Sequence, residues 1–244
     1  EHDYCTKYFS LLVSLGKIAY QTLSDEKREN TLVFDRKKVV DKYLSKDDMT
    51  FILHSGILTE STSRTLTKQT SKVSFSHKTV QEFFAAIYIS SQSDGQKILV
   101  EKCKNVESIL EMSEIWEFIS KINSKRMCEI SADLMSVINE DEETCEYRNS
   151  TDYVEEMYEE PLYNIQEMFV SCLQEMPQSE NITLCLHDFF INYNTIHDKH
   201  LQRLLKQNQT NIKSLNIDMP DTSISLHEVI KLFSLTNLHN LHKL

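Results

Sequence analysis

His77 is the residue of this chain best placed to do chemistry. It stands at a junction in the run Val73-Ser74-Phe75-Ser76-His77-Lys78-Thr79-Val80-Gln81-Glu82-Phe83-Phe84-Ala85-Ala86-Ile87-Tyr88. Upstream, Val73 and Phe75 alternate with Ser74 and Ser76, the period of a half-buried strand. Downstream, Thr79 and Glu82 have the T-x-x-E spacing of a capping box. Val80, Phe83, Phe84, Ile87 and Tyr88 then fall on one helical stripe. His77 is therefore expected just before a helix N-terminus, where unpaired N–H groups and the macrodipole favour a bound anion. An ordinary surface or core histidine is the plainer alternative.

The other reactive residues form no recognisable centre. His197-x-x-His200 and His239-x-x-His242 have helical spacing, but neither has an evident third ligand, so no metal site is expected. Cys5, Cys103, Cys128, Cys145, Cys172 and Cys185 are scattered without a C-x-x-C pair, which predicts free thiols in a reducing compartment and a cytoplasmic protein. The N-x-[ST] sequons at Asn149, Asn181 and Asn208 are then chance matches. No G-x-S-x-G nucleophile motif occurs, and no catalytic residue is assigned. Glycine is confined to Gly16, Gly56 and Gly95, too sparse for G-x-x-x-x-G-K-[ST] or G-x-G-x-x-G. The chain alone is not expected to be an enzyme or to hold a cofactor.

Charge narrows the partners. The 244 residues carry 26 basic and 37 acidic side chains, a net charge of −11. Ten of the acids lie between 140 and 160 with Arg148 the single basic residue there, read as a solvated acidic loop. The acidic balance opposes nucleic-acid binding. The longest apolar run, Phe83 to Ile89, has 7 residues, far short of the ~20 that span a bilayer. The start at Glu1 points to a piece of a longer protein.

The elements expected to position His77 come in three groups. In 1–93, Leu11, Leu12, Leu15, Ile18, Ala19 and Leu23 mark a helix, Leu32-Val33-Phe34 a short strand, and Asp35 the cap of the next helix. Asp48 is expected to cap a helix through Phe51, Ile52 and Leu53, which Gly56 ends. Ile57 and Leu58 open a strand that returns through Phe75, with a polar tip carrying Arg64, Lys68 and Lys72. Helices followed by such a hairpin describe a winged helix. Residues 94–177 read as a helical bundle around Trp116, with the acidic loop near 140–160 and a helix starting at Pro161. In 178–244, strand patterns at Ile182–Leu186, Asn211–Ile217 and Asn240–Leu244 alternate with helices at about 198–206 and through Leu226, Val229, Ile230 and Phe233. Leu184, Leu215 and Leu244 are spaced by 31 and 29 residues, and a strand-plus-helix unit repeating at about that length suggests leucine-rich repeats. The expected fold class is thus mainly α with short strands: a winged helix, a helical bundle, and the start of an α/β leucine-rich-repeat solenoid.

Four stretches, in order, resemble the NOD-like receptor family of cytosolic signalling ATPases. Phe75 to Ala86 resembles the F-x-H-x-[ST]-[FV]-Q-E-[FY]-[FL]-A-A signature that ends the family's winged-helix domain. Leu15-Gly16-Lys17-Ile18-Ala19-Tyr20 through Leu23, with Val33-Phe34, resembles that domain's opening, and Ser55-Gly56-Ile57-Leu58 its step before the wing. Cys172-Leu173-Gln174-Glu175 resembles the helix that precedes the leucine-rich repeats. The resemblance covers almost the whole chain, least at 140–160.

The resemblance implies a winged helix at 1–93, a second helical domain at 94–177 and truncated leucine-rich repeats at 178–244. It implies that His77 contacts the β-phosphate of ADP held by a NACHT module outside this chain. ADP or ATP with magnesium would belong to the full-length parent. The partners implied are the protein's own NACHT module, other protomers on activation, and a protein or microbial ligand at the repeats, with no nucleic acid and no membrane. A winged-helix module that binds protein or DNA without a nucleotide switch is the alternative. An enzyme with a dispersed active site has no motif in its favour.

Overall fold

The computed structural model describes residues 7–23, 33–64, 69–93, 95–150, 156–177 and 182–218. The fold is mainly helical with a few short strands. It divides into two compact units, Glu1–Gln96 and Lys97–Leu244. The second unit contains both stretches that the sequence separates at 177/178. Among the described residues, no helix is long and apolar enough to cross a membrane.

In the first unit, α1 (Phe9–Leu23) buries Leu11, Leu15, Ile18 and Ala19, the stripe its spacing predicts. This stripe meets α4 (Lys78–Ser91). The two helices approach at Gly16, where a Cβ would lie 2.5 Å from the Phe84 carbonyl oxygen and 2.7 Å from Tyr88 Cβ. Further along, Gln81 Nε2 donates to Thr22 Oγ1 at 2.7 Å, and that hydroxyl bonds back to the Ile18 carbonyl at 2.9 Å. Gly16 faces Phe84 and Tyr88 while Thr22 faces Gln81, so the helices run antiparallel.

Three strands complete the unit: β1 (Val33–Asp35), β2 (Leu58–Arg64) and β3 (Gln69–Phe75), antiparallel in the order β1-β3-β2. Phe34 pairs with Val73 and Leu58 with Phe75, and all four are buried. On the other face Thr59 and Ser74 share a hydroxyl hydrogen bond of 2.7 Å. Asp35 accepts from the Lys37 amide at 3.0 Å and so opens α2 (Arg36–Val39), as expected. The next helix, α3 (Lys46–His54), starts earlier than predicted. Its cap is Ser45, whose hydroxyl accepts from the Asp48 amide at 3.1 Å and donates to the Asp48 carboxylate at 2.6 Å. Asp48 thus answers the cap rather than forming it. Gly56 follows α3 at φ +73°, the left-handed conformation a glycine takes without steric cost.

The second unit holds α5 (Gly95–Val100, which begins at the unit boundary), α6 (Val106–Leu110), α7 (Ser113–Ile122), α8 (Ser124–Glu140), α9 (Glu142–Asn149) and α10 (Glu156–Glu175). Trp116 is the core anchor expected of it, 0% exposed, with its indole N–H donating to the Ile109 carbonyl at 3.0 Å. Two expectations fail here. Pro161 does not start a helix but lies inside α10. The acidic stretch near 140–160 is not a loop over its first half. Asp141 caps α9 by accepting from the Thr144 amide at 3.0 Å, and Tyr147 and Arg148 are buried. Glutamates in the first turn of α9 are favoured by the helix macrodipole, which an acidic run read only by composition conceals.

The unit ends in β4 (Asp188–Asn192), α11 (Lys199–Asn208) and β5 (Ser214–Asp218), with β4 and β5 parallel. The first strand is not Ile182–Leu186, as its alternation predicts, but the run after it. β4 is buried over four of its five residues, so it shows no alternation, as is usual for parallel strands covered on both faces. The preceding segment is held by Asn208 at the end of α11, which accepts from the Leu186 amide at 3.2 Å and donates to the Leu184 carbonyl at 2.7 Å. Gln166 of α10 grips β4 from the side: its Oε1 accepts from the Phe190 amide at 2.8 Å and its Nε2 donates to the Phe190 carbonyl at 3.1 Å. The polar tip expected over 61–72 is narrower, because Ser61–Arg64 and Gln69–Lys72 belong to β2 and β3; residues 65–68 and the repeat elements expected beyond 218 lie outside the described residues.

Candidate functional site

The strand–histidine–helix junction forms, with a different start to its helix. Ser76 is held by its backbone N–H, which donates to the Ile57 carbonyl at 3.0 Å. His77 has extended backbone at φ −145° and ψ 150° and is itself the N-cap of α4, with no side-chain capping bond. Its carbonyl accepts from the Gln81 amide at 3.2 Å. The predicted T-x-x-E capping box is therefore absent, because Thr79 already lies inside the first turn. Glu82, one turn further on, pairs instead with Lys78 at 3.2 Å.

The helical stripe is also rotated from its predicted setting. Gln81, Glu82, Phe84, Ala85, Ala86 and Ile89 are buried, while Phe83 is 38% exposed. This turn of α4 brings the small Ala85 and Ala86 inward. His77, Lys78 and Thr79 are exposed at the helix start. The imidazole has no capping role, and the ammonium of the next residue, Lys78, is engaged by Glu82. A whole nucleotide needs a glycine-rich cradle, and this chain has none.

The structure assembles a second polar centre that the sequence did not announce. Arg148, 6% exposed, forms a two-pronged pair with Asp188, 1% exposed, at 2.8 and 2.5 Å. Ser214 Oγ donates to the same carboxylate at 2.7 Å. Asn139 Oδ1 then gathers Arg148 Nη1 at 2.9 Å, Lys213 Nζ at 2.8 Å and His187 Nδ1 at 3.2 Å. Burial, and after it the charge of Lys213, hold the His187 pKa down at about 4. His187 is thus neutral at neutral pH, with the proton on Nδ1 facing the amide oxygen. Burial likewise lowers Lys213, with Arg148 adding to the effect. These groups satisfy one another and join α8, α9, β4 and β5. One signal for this centre was legible: a lone arginine among ten acids is a candidate for a committed partner.

The remaining candidates stay apart. His197 precedes α11, so it and His200 do not share a helix face, and His239 and His242 lie outside the described residues. Among the described residues, no group of three or more His, Cys, Asp or Glu is placed to hold a metal. Burial pushes the Cys103 and Cys172 thiols up to about 12, where the nucleophilic thiolate is scarce; Cys5 is outside the described residues. Asn208 is buried and hydrogen-bonded through both amide atoms, so its sequon is closed to glycosylation in the folded protein. Lys72 is exposed on β3, whereas Lys68 and the Arg64 side chain fall outside the described residues. No family model matches the chain, and no curated protein matches it.

Proposed function

We propose that this chain is the regulatory and sensing part of a cytoplasmic NOD-like receptor. In this reading the first unit is a winged helix, with β2 and β3 as its wing. The helices that follow are the second helical domain, and β4–α11–β5 opens a leucine-rich-repeat solenoid. The parent protein carries the NACHT module, binds ADP or ATP with magnesium, and meets other protomers when it activates. A protein or microbial ligand engages the repeats.

The observation that carries the reading is the state of His77. Its imidazole is exposed at the N-terminus of a 14-residue helix and makes no capping bond. An imidazole N–H and the first helix amides together favour a phosphate. His77 supplies one contact to a nucleotide whose other contacts come from elsewhere in the parent. While ADP is bound, that contact holds the winged helix closed on the NACHT module. Release lets the two separate as rigid bodies and frees surfaces for oligomerisation.

His77→Ala in the full-length protein tests this. A hydrogen bond to a charged group contributes about 1.5–3 kcal/mol, so ADP affinity should fall by roughly tenfold or more and basal signalling should rise. ADP retention and basal signalling both equal to wild type would defeat the assignment. A salt-dependent shift of duplex DNA by this chain would instead favour a winged helix without a nucleotide switch.

A further inference from the structure

Cys128 and Cys185 face one seam within the second unit. Cys128 lies on α8, and its thiol donates to the Thr183 carbonyl. Ser131, on the next turn of that helix face, accepts from the Cys185 amide at 3.0 Å through its hydroxyl oxygen. The same hydroxyl donates to the Cys128 carbonyl at 2.7 Å. Residues 183–185 therefore run alongside α8 from Cys128 toward Ser131. Three helical residues rise only ~4.5 Å, so the two cysteines are near neighbours across the seam.

Both thiols are partly exposed, unlike the buried Cys103 and Cys172. The Cys185 thiol is raised by burial, lowered in part by a hydrogen bond with Ser131, and raised again by the nearby Cys128. Cys145, the other partly exposed thiol among the described residues, is engaged elsewhere, at the Asn139 carbonyl at 3.3 Å.

We propose that Cys128 and Cys185 are a redox-responsive pair that closes to an intramolecular disulfide when a peroxide reaches the seam. One thiol is oxidised to a sulfenic acid as the O–O bond breaks and a first water leaves. The second sulfur then attacks the sulfenic sulfur, forming the S–S bond and expelling a second water. Two thiols thus lose two electrons and two protons, and the peroxide takes up both. The bond ties α8 to the segment leading into β4. This inference is independent of the nucleotide reading.

The test is a hydrogen peroxide titration of the whole chain, followed by alkylation, non-reducing digestion and mass spectrometry. The expected product is a Cys128 peptide joined to a Cys185 peptide, two hydrogens lighter than their sum and separated by dithiothreitol. The melting temperature should rise on oxidation in the wild type, and the rise should vanish in Cys128→Ser and in Cys185→Ser. Recovery of the two cysteines as separate alkylated or over-oxidised peptides overturns the proposal. So does a bridge from either one to Cys145.

Discussion

The guanidinium of Arg148 holds both carboxylate oxygens of Asp188, a residue 40 positions away, inside the protein. The pair fastens the acidic helix α9 to the start of β4. Breaking a buried pair strands the surviving charge, at a cost of about 3–5 kcal/mol. Arg148→Met and Asp188→Leu should each lower the unfolding free energy read from a urea titration by that amount. Arg148→Met combined with Asp188→Leu should cost clearly less than the sum of the two single losses, because no charge is left behind. Additive losses in that double-mutant cycle would show that the pair is not coupled.

Gly16 makes a second prediction with an unusual sign. In an exposed helix, Gly→Ala gains up to about 1 kcal/mol. At Gly16 the added methyl meets the Phe84 carbonyl at 2.5 Å, so Gly16→Ala must push α1 and α4 apart. Overpacking of this kind costs about 1–3 kcal/mol. A net loss of thermal stability is the expected result, and a gain would rule out the close approach.

His187 gives a pH dependence. Its folded pKa of about 4 lies below the ordinary value of 6.5. The neutral ring is therefore favoured by the fold, and this contribution is intact above pH 6.5. As the pH drops from 6.5 toward 4 the unfolded chain takes up a proton that the folded chain refuses, and stability falls. The difference in melting temperature between wild type and His187→Asn should change across that window and be constant above it. A flat difference from pH 7 to 4 would contradict the assignment.

Asn208 joins the end of α11 to the segment before β4 through a donor and an acceptor. Asn208→Ala leaves the Leu186 amide and the Leu184 carbonyl without this partner, at about 1–3 kcal/mol for each buried group. Amide exchange at Leu186 should accelerate more than at Trp116, which lies on another element. Equal acceleration at both sites would mean a global rather than a local loss.

The sequence was most readable where one face alone is buried. Val73 and Phe75 on β3 keep a clean period because Lys72, Ser74 and Ser76 alternate with them, and on α1 the buried Leu11, Leu15, Ile18 and Ala19 fall on one helical stripe. It misled where burial is two-sided or decided by distant residues. β4 is covered on both faces, so the alternating Ile182–Leu186 looked more like a strand than Asp188–Asn192. The acidic stretch gave no sign of α9, because the fold of that helix depends on Asp188 far along the chain. At the candidate site the position of His77 was legible, but the setting of α4 was not. Thr79 and Glu82 matched a cap, yet the extended backbone of His77 starts the helix first.

Gln166 has a consequence for self-association. Strand edges are templates for pairing with other chains unless something occupies them. Phe190 spends both its backbone groups on the Gln166 amide, and Asn192 spends its own on the turn that follows, through the Thr195 hydroxyl and the Ile196 amide. A foreign strand arriving at this margin of β4 finds those positions taken. Among the described residues a side chain thus takes the place of a neighbouring strand at this margin, and β-sheet growth between molecules is blocked there without a charge or a proline.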